Sequence, residues 1–262
     1  MGYGLGRTGR IVAPIVAALA TARGALAQDE RRVASPDGQI EFRVFLTHPQ
    51  PAAPVRLAYQ VSFRGQRLIN TSFLGLEIHD QPLLGENVGI VTSMTASEGG
   101  YNGLTAEYMQ NGSLGRRINL EVRAYNDGIA FRYVVPPSGP LERMSLENEA
   151  TEFEFVGSAF RDPDRLAIAK IPLDAVIALP FVTEQPGLGW VSVTELREGI
   201  YPPMSVSRED RQIMISRLPA GSDELHLAWE GPTPFRGPWR ILIIGPTRTS
   251  VTESQLASRL SH

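Results

Sequence analysis

The carboxylates best placed for chemistry in this chain are Glu195 and Glu198, which follow the apolar run Gly189–Thr194. A Glu pair at a strand-to-loop edge offers hard oxygen donors of the kind that hold Ca²⁺. The same two residues also read as a solvated charged turn. A glycosidase acid/base pair cannot be picked from spacing, because its separation of roughly 5–10 Å is spatial and not sequential. Nucleophilic chemistry is poorly served. The chain has no Cys, its four histidines are His48, His79, His226 and His262, and none has a G-x-S-x-G neighbour. No histidine spacing suggests zinc, and no glycine loop cradles phosphate between a strand and a helix. Trp190, Trp229 and Trp239 could stack on sugar rings. All three sit in apolar strand patterns and are expected in the core. Tyr101, Tyr108 and Tyr201 are candidate exposed aromatic edges near loops.

The elements that must position these groups are almost all strands. Ile40, Phe42, Val44 and Leu46 share one face of a two-residue alternation, as do Leu57, Tyr59, Val61 and Phe63. Phe73–Ile78 reads as a further short strand. Ile118–Val135 is a hairpin, with Asn126-Asp127-Gly128 supplying the positive φ of a tight turn. A one-residue slip there would turn Asn119, Glu121 and Arg123 inward, so its register should be well set. Later strands are expected at Thr151–Phe155, Gly189–Thr194, Gln212–Ser216, Leu225–Trp229 and Trp239–Ile244. The run Ile241-Leu242-Ile243-Ile244, after a Pro/Gly-rich approach, is apolar without alternation and reads as a closing strand buried on both faces. Helical periodicity is confined to the first residues and to Glu253–Leu260. Many short strands between Gly/Pro turns predict an all-β sandwich. No repeat or long linker divides it, so 28–262 is expected to be one domain.

The first 27 residues read as a secretory signal peptide. Arg7 and Arg10 give the positive region, Ile11–Ala20 the apolar run, and Ala25-Leu26-Ala27 the cleavage site before Gln28. About twelve apolar residues are too few for a membrane span, which needs roughly twenty. The expected location is therefore periplasmic or extracellular. Without Cys, no disulfide or lipid-modified N-terminal Cys supports the mature protein. Removing 1–27 leaves 22 basic against 28 acidic residues, a formal charge of −6. An acidic exported protein argues against nucleic acid as a partner.

Seven phrases in order then carry a resemblance. They are SPDGQIEFRVFL (Ser35–Leu46), YQVSFRGQRLI (Tyr59–Ile69), SFLGLEI (Ser72–Ile78), LEVRAYNDGIAFRYVVP (Leu120–Pro136), ENEATEFEF (Glu147–Phe155), GLGWVSVTE (Gly187–Glu195) and PFRGPWRILIIG (Pro234–Gly245). Together they resemble the N-terminal domain of glycoside hydrolase family 97, a family that includes secreted bacterial α-glucosidases and α-galactosidases. The resemblance implies a β-super-sandwich of the galactose-mutarotase-like kind. In complete members it packs against a (β/α)₈ barrel that carries the catalytic residues, and it forms one wall of the sugar site. It also implies a glutamate that helps hold Ca²⁺, within H-E-A-A-L followed by Tyr and Met. Here that segment reads TELREGIYPPM, so Glu195 takes the glutamate's place, with Tyr201 and Met204 at matching spacing. The family's His is Thr194, and its Ala-Ala is Leu196-Arg197. The loop Gly157–Pro172 reads as shorter and poorer in aromatics. The chain ends at His262, about where the linker to the barrel would begin. The reading is of an exported, carbohydrate-linked accessory domain with no catalytic residues of its own. Two alternatives are half of a split glycosidase that pairs with a separate barrel polypeptide, and a structural envelope sandwich that binds no sugar.

Overall fold

The computed structural model describes Met1 and residues 29–113, 115–138, 141–156, 167–173, 175–210, 212–222 and 224–261. Apart from Met1, the expected leader over 1–27 lies outside the described residues, as does 157–166 of the expected short loop. Among the described residues no helix is long and apolar enough to cross a membrane.

The chain folds as an all-β sandwich. β1 (Arg31–Ala34), β2 (Ile40–Thr47), β3 (Arg56–Phe63) and β4 (Gln66–Phe73) make an antiparallel meander, and β5 (Leu76–Ile78) leaves it. β6 (Val88–Glu98), β7 (Tyr101–Gln110), β8 (Arg117–Tyr125) and β9 (Gly128–Val135) are successive antiparallel arms. Shorter strands follow: β10 (Arg143–Glu149), β11 (Glu152–Glu154), β12 (Val176–Ala178), β13 (Phe181–Gln185), β14 (Gly189–Leu196), β15 (Ser205–Arg208), β16 (Ile213–Arg217), β17 (Trp229–Pro232) and β18 (Phe235–Arg236). β19 (Trp239–Gly245) is the last strand, and α1 (Arg248–Thr252) and α2 (Leu256–Leu260) follow it.

One layer is an eight-stranded sheet of order β13-β14-β19-β9-β8-β7-β6, with β18 added to β9. Against it lie the meander, a three-stranded sheet β17-β10-β5 and a four-stranded sheet β11-β16-β15-β12. The alternation read from β2, β3 and β8 points its apolar half into one continuous core between the layers. Phe42, Tyr59 and Phe131 stack there, with ring centroids 5.2–5.9 Å apart. A second apolar cluster lies on the outer face of the large sheet. There α1 and α2 cover Ile241 and Ile243 through Val251, Leu256 and Leu260. This explains why β19 is apolar on both faces: all seven of its residues are buried.

Several expectations change in detail. The Ile118–Val135 hairpin forms in the expected register, but no positive φ occurs at Asn126, Asp127 or Gly128. Gly128 is needed for close approach instead. A Cβ there would lie 2.4 Å from the Leu242 carbonyl oxygen and 2.8 Å from Leu256 Cδ1. Phe73–Ile78 holds the last residue of β4 and the whole of β5, parted at Leu74-Gly75. The strand expected over Leu225–Trp229 starts only at Trp229, because His226 turns the chain at φ 53. The helix expected over Glu253–Leu260 shortens to α2, and α1 precedes it, capped by Thr247, whose side chain accepts from the Ser250 N–H. β6 and β7 were not anticipated. The outer stretch of β6, from Val91 to Glu98, is mostly exposed and rich in Ser and Thr, so it carries little apolar alternation.

Candidate functional site

β14 and β19 pair so that Glu195 lies directly opposite Arg240. Alternation along β19 sends Trp239 to the outer face and Arg240 into the core. There the guanidinium is fully buried and meets two carboxylates. Its Nε donates to Glu149 Oε2 at 2.9 Å and its Nη2 to Glu149 Oε1 at 2.5 Å, a bidentate pair. Its Nη1 donates to Glu195 Oε2. Glu149 comes from the end of β10 and also accepts the Tyr201 hydroxyl at 2.8 Å. Glu195 further pairs with Arg197, Nε to Oε1 at 3.1 Å, and accepts from the Met204 backbone N–H at 3.2 and 3.3 Å.

Two arginines and two glutamates therefore balance in one network. Burial by itself would lower the Arg240 pKa. The Glu149 carboxylate outweighs that effect, with help from Tyr201 and Glu195, and holds the group above its usual value. Burial, then the Glu149 charge, pushes the Tyr201 phenol well above its ordinary value, so it stays a neutral donor.

Beside this network lies an aromatic cluster, of which Trp229 is the ring that reaches the surface. Tyr201, Trp229 and Phe235 form a cluster, with Trp229 and Phe235 centroids 4.8 Å apart. Trp229 is half-buried and lines an open hollow of about 620 Å³ with Ile200, Pro202 and Glu230. A neighbouring hollow of about 300 Å³ adds Glu198, Phe235 and Arg236.

The two carboxylates singled out from sequence thus part company. Glu195 turns inward to Arg240, and Glu198 stays exposed at the rim of the hollow. Of the three tryptophans expected in the core, only Trp239 is buried; Trp190 and Trp229 are half-exposed. Tyr108 and Tyr201, candidate exposed edges, are buried, and Tyr101 is half-buried. His48, His79 and His226 lie on the surface, bonded to the Ala53 carbonyl, Glu147 and the Gly221 carbonyl; His262 is outside the described residues. The Arg240–Glu149 pair was missed. An arginine inside an apolar strand run was its one visible signal.

The described residues do not by themselves fit the Ca²⁺ that the resemblance attaches to Glu195. That ion takes six to eight oxygen ligands. Both Glu195 oxygens already accept from cationic or N–H donors, and the nearest second carboxylate, Glu149, is closed by Arg240 and Tyr201. No group of three or more His, Asp or Glu among the described residues could hold a metal ion.

The family description "Glycosyl-hydrolase 97 N-terminal" matches residues 33–262. This chain belongs to the glycosyl-hydrolase 97 N-terminal family. A curated relative is a retaining alpha-galactosidase of Bacteroides thetaiotaomicron, 28% identical over 123 residues, covering 41% of this chain and 17% of that protein. Among solved structures, a family 97 enzyme from Pseudoalteromonas sp. strain K8 in complex with panose aligns at TM-score 0.66 and 20% identity, covering 86% of this chain and 37% of that one. A beta-arabinopyranosidase aligns at TM-score 0.65 and 17% identity, covering 83% and 40%. These identities speak for the fold alone. This family 97 domain spans well under half the length of those enzymes.

Proposed function

We propose that this family 97 domain is a non-catalytic carbohydrate-binding wall, with the hollow at Trp229 as its sugar-facing surface. The observation that carries the reading is the half-exposed Trp229 ring within an aromatic cluster. Glu198, Glu230 and Arg236 rim it and would supply hydrogen bonds to hydroxyls. The Glu149–Arg240–Glu195 network beneath holds the Tyr201 loop rigid, so the platform is preorganised.

Titration with maltose, glucose and galactose is expected to give millimolar binding to the intact chain. Trp229→Ala should weaken it by about tenfold, roughly 1.4 kcal/mol. No heat at millimolar sugar, or a Trp229→Ala protein that binds equally, would leave the structural envelope reading ahead. Release of sugar from aryl α-glycosides by the purified chain would overturn its non-catalytic character.

A second reading is supported by an exposed apolar side chain beside the hollow. Ile200 is 98% exposed at the hollow's rim. On this reading a separate (β/α)₈ barrel polypeptide completes an α-glycosidase and covers Ile200. Export is part of both readings and rests on the leader-like segment 1–27. N-terminal sequencing of protein recovered from the periplasm or medium is expected to begin at Gln28. Protein retained in the cytoplasm with Met1 intact would refute export.

A further inference from the structure

The outer face of the large sheet carries a separate group of cations, on the side of β19 opposite Arg240. The Arg123 guanidinium lies 4.8 Å above the Tyr101 ring centroid and 4.9 Å above that of Trp239. Held between two rings, it loses little freedom on engaging a ligand. Other cations around it are matched. Arg132 donates to Glu121 at 2.7 Å, Arg236 lies 3.9 Å from the same carboxylate, and Arg259 donates to Asp127. Among the described residues Arg123 has no carboxylate within ion-pair distance and no hydrogen-bond acceptor.

Arg123 opens onto two adjoining hollows of about 170 and 370 Å³, which share Tyr101 and Glu98. Two carboxylates also line these hollows: Glu98, which accepts the Tyr101 hydroxyl, and Glu121, which pairs with Arg132. Across the larger hollow stands Arg259, which engages Asp127 through Nη2 alone. The rim is the turn Gly99-Gly100, which has no side chain to block entry. The guanidinium of Arg123 covers Tyr101 and Trp239, and that of Arg259 covers Tyr125 at 5.2 Å, so stacking on a neutral sugar is not the chemistry offered here.

We propose that Arg123, with Arg259 across the hollow, binds an oxyanion: the carboxylate of a uronate or a sulfate group. A planar guanidinium with free N–H edges matches either, through two parallel hydrogen bonds. The site is independent of the Trp229 hollow.

The test uses the intact chain and, to silence the other hollow, its Trp229→Ala variant, with sodium glucuronate and inorganic sulfate as probes and glucose as the neutral control in that variant, read by heat and by tryptophan emission. Trp239 lies under Arg123, and in Trp229→Ala the one other tryptophan is Trp190. Glucuronate is expected to bind, more weakly as salt rises, while glucose leaves Trp239 unchanged. Arg123→Gln should weaken it by at least about tenfold, and Trp229→Ala should leave it unchanged. Sulfate binding with the same Arg123 dependence supports the oxyanion site and assigns it to the anion and not to the sugar. Arg259→Gln is the second variant, expected to weaken binding by about threefold, and it decides the matter if Arg123→Gln fails to fold. The proposal is overturned if neither anion binds at about 10 mM, a Kd worth under 3 kcal/mol. It is equally overturned if the folded variants bind as the wild type does.

Discussion

Replacing Arg240 with methionine is expected to destabilise the domain by about 3–5 kcal/mol, the range for removing one partner of a buried ion pair. The variant keeps the size of the side chain and loses the charge. Glu149 would then stay buried with its carboxylate facing only Tyr201, and Glu195 would keep Arg197 and the Met204 N–H. The damage should fall mainly on Glu149, whose side chain is 1% exposed, against 10% for Glu195. In a domain of this size, each kcal/mol moves the midpoint by about 2–4 °C, so thermal unfolding should shift down by about 10 °C. The double variant Arg240→Met/Glu149→Gln should recover part of the loss, because no buried charge is then left unmatched. A single variant that unfolds within about 1 kcal/mol of wild type would show that the network is not a stability element.

The sign of the pH dependence follows from the same geometry. The folded pKa of Arg240 is raised, so its contribution is fully present below the unfolded arginine value. It is lost only as pH rises through the still higher folded value. The deficit of Arg240→Met should therefore be level from neutral to mildly alkaline pH.

Phe131→Ala is expected to cost about 3–5 kcal/mol. Phe131 on β9 is fully buried, and it meets Phe42 on β2 and Tyr59 on β3 across the sandwich. These three rings join the eight-stranded sheet to the meander. Removing Phe131, the one ring of the three that the large sheet supplies, strips contacts from both layers and leaves a cavity between them. Phe131→Leu refills most of the volume and should cost about 1–1.5 kcal/mol. Urea unfolding distinguishes the cases: the midpoint should fall while the slope stays the same, since the surface exposed on unfolding hardly changes. A Phe131→Ala midpoint equal to that of Phe131→Leu would mean the layers close over the gap.

Some of this was legible along the chain. The alternation in Ile40–Leu46, Leu57–Phe63 and Ile118–Val135 placed the right side chains in the core, because the two-residue period of a strand is a local property. The unbroken apolar run Ile241–Ile244 announced a strand covered on both faces, though not that two short helices supply the second cover. Gly128 was read as a turn residue, and only its nearness to Leu242, a residue distant in sequence, shows what the glycine is for.

The ordered phrases and the strand periodicity by themselves determined the fold class and the family, since both are written in neighbouring residues. Tertiary structure alone decided which charges meet. Glu149 and Arg240 stand 91 positions apart, Arg123 is left without a carboxylate while Arg132 has one, and Trp229 faces solvent although Trp239 does not. Charge pairing and burial depend on which strands the sheets bring side by side. That order, with β19 between β14 and β9, joins segments that no local period links.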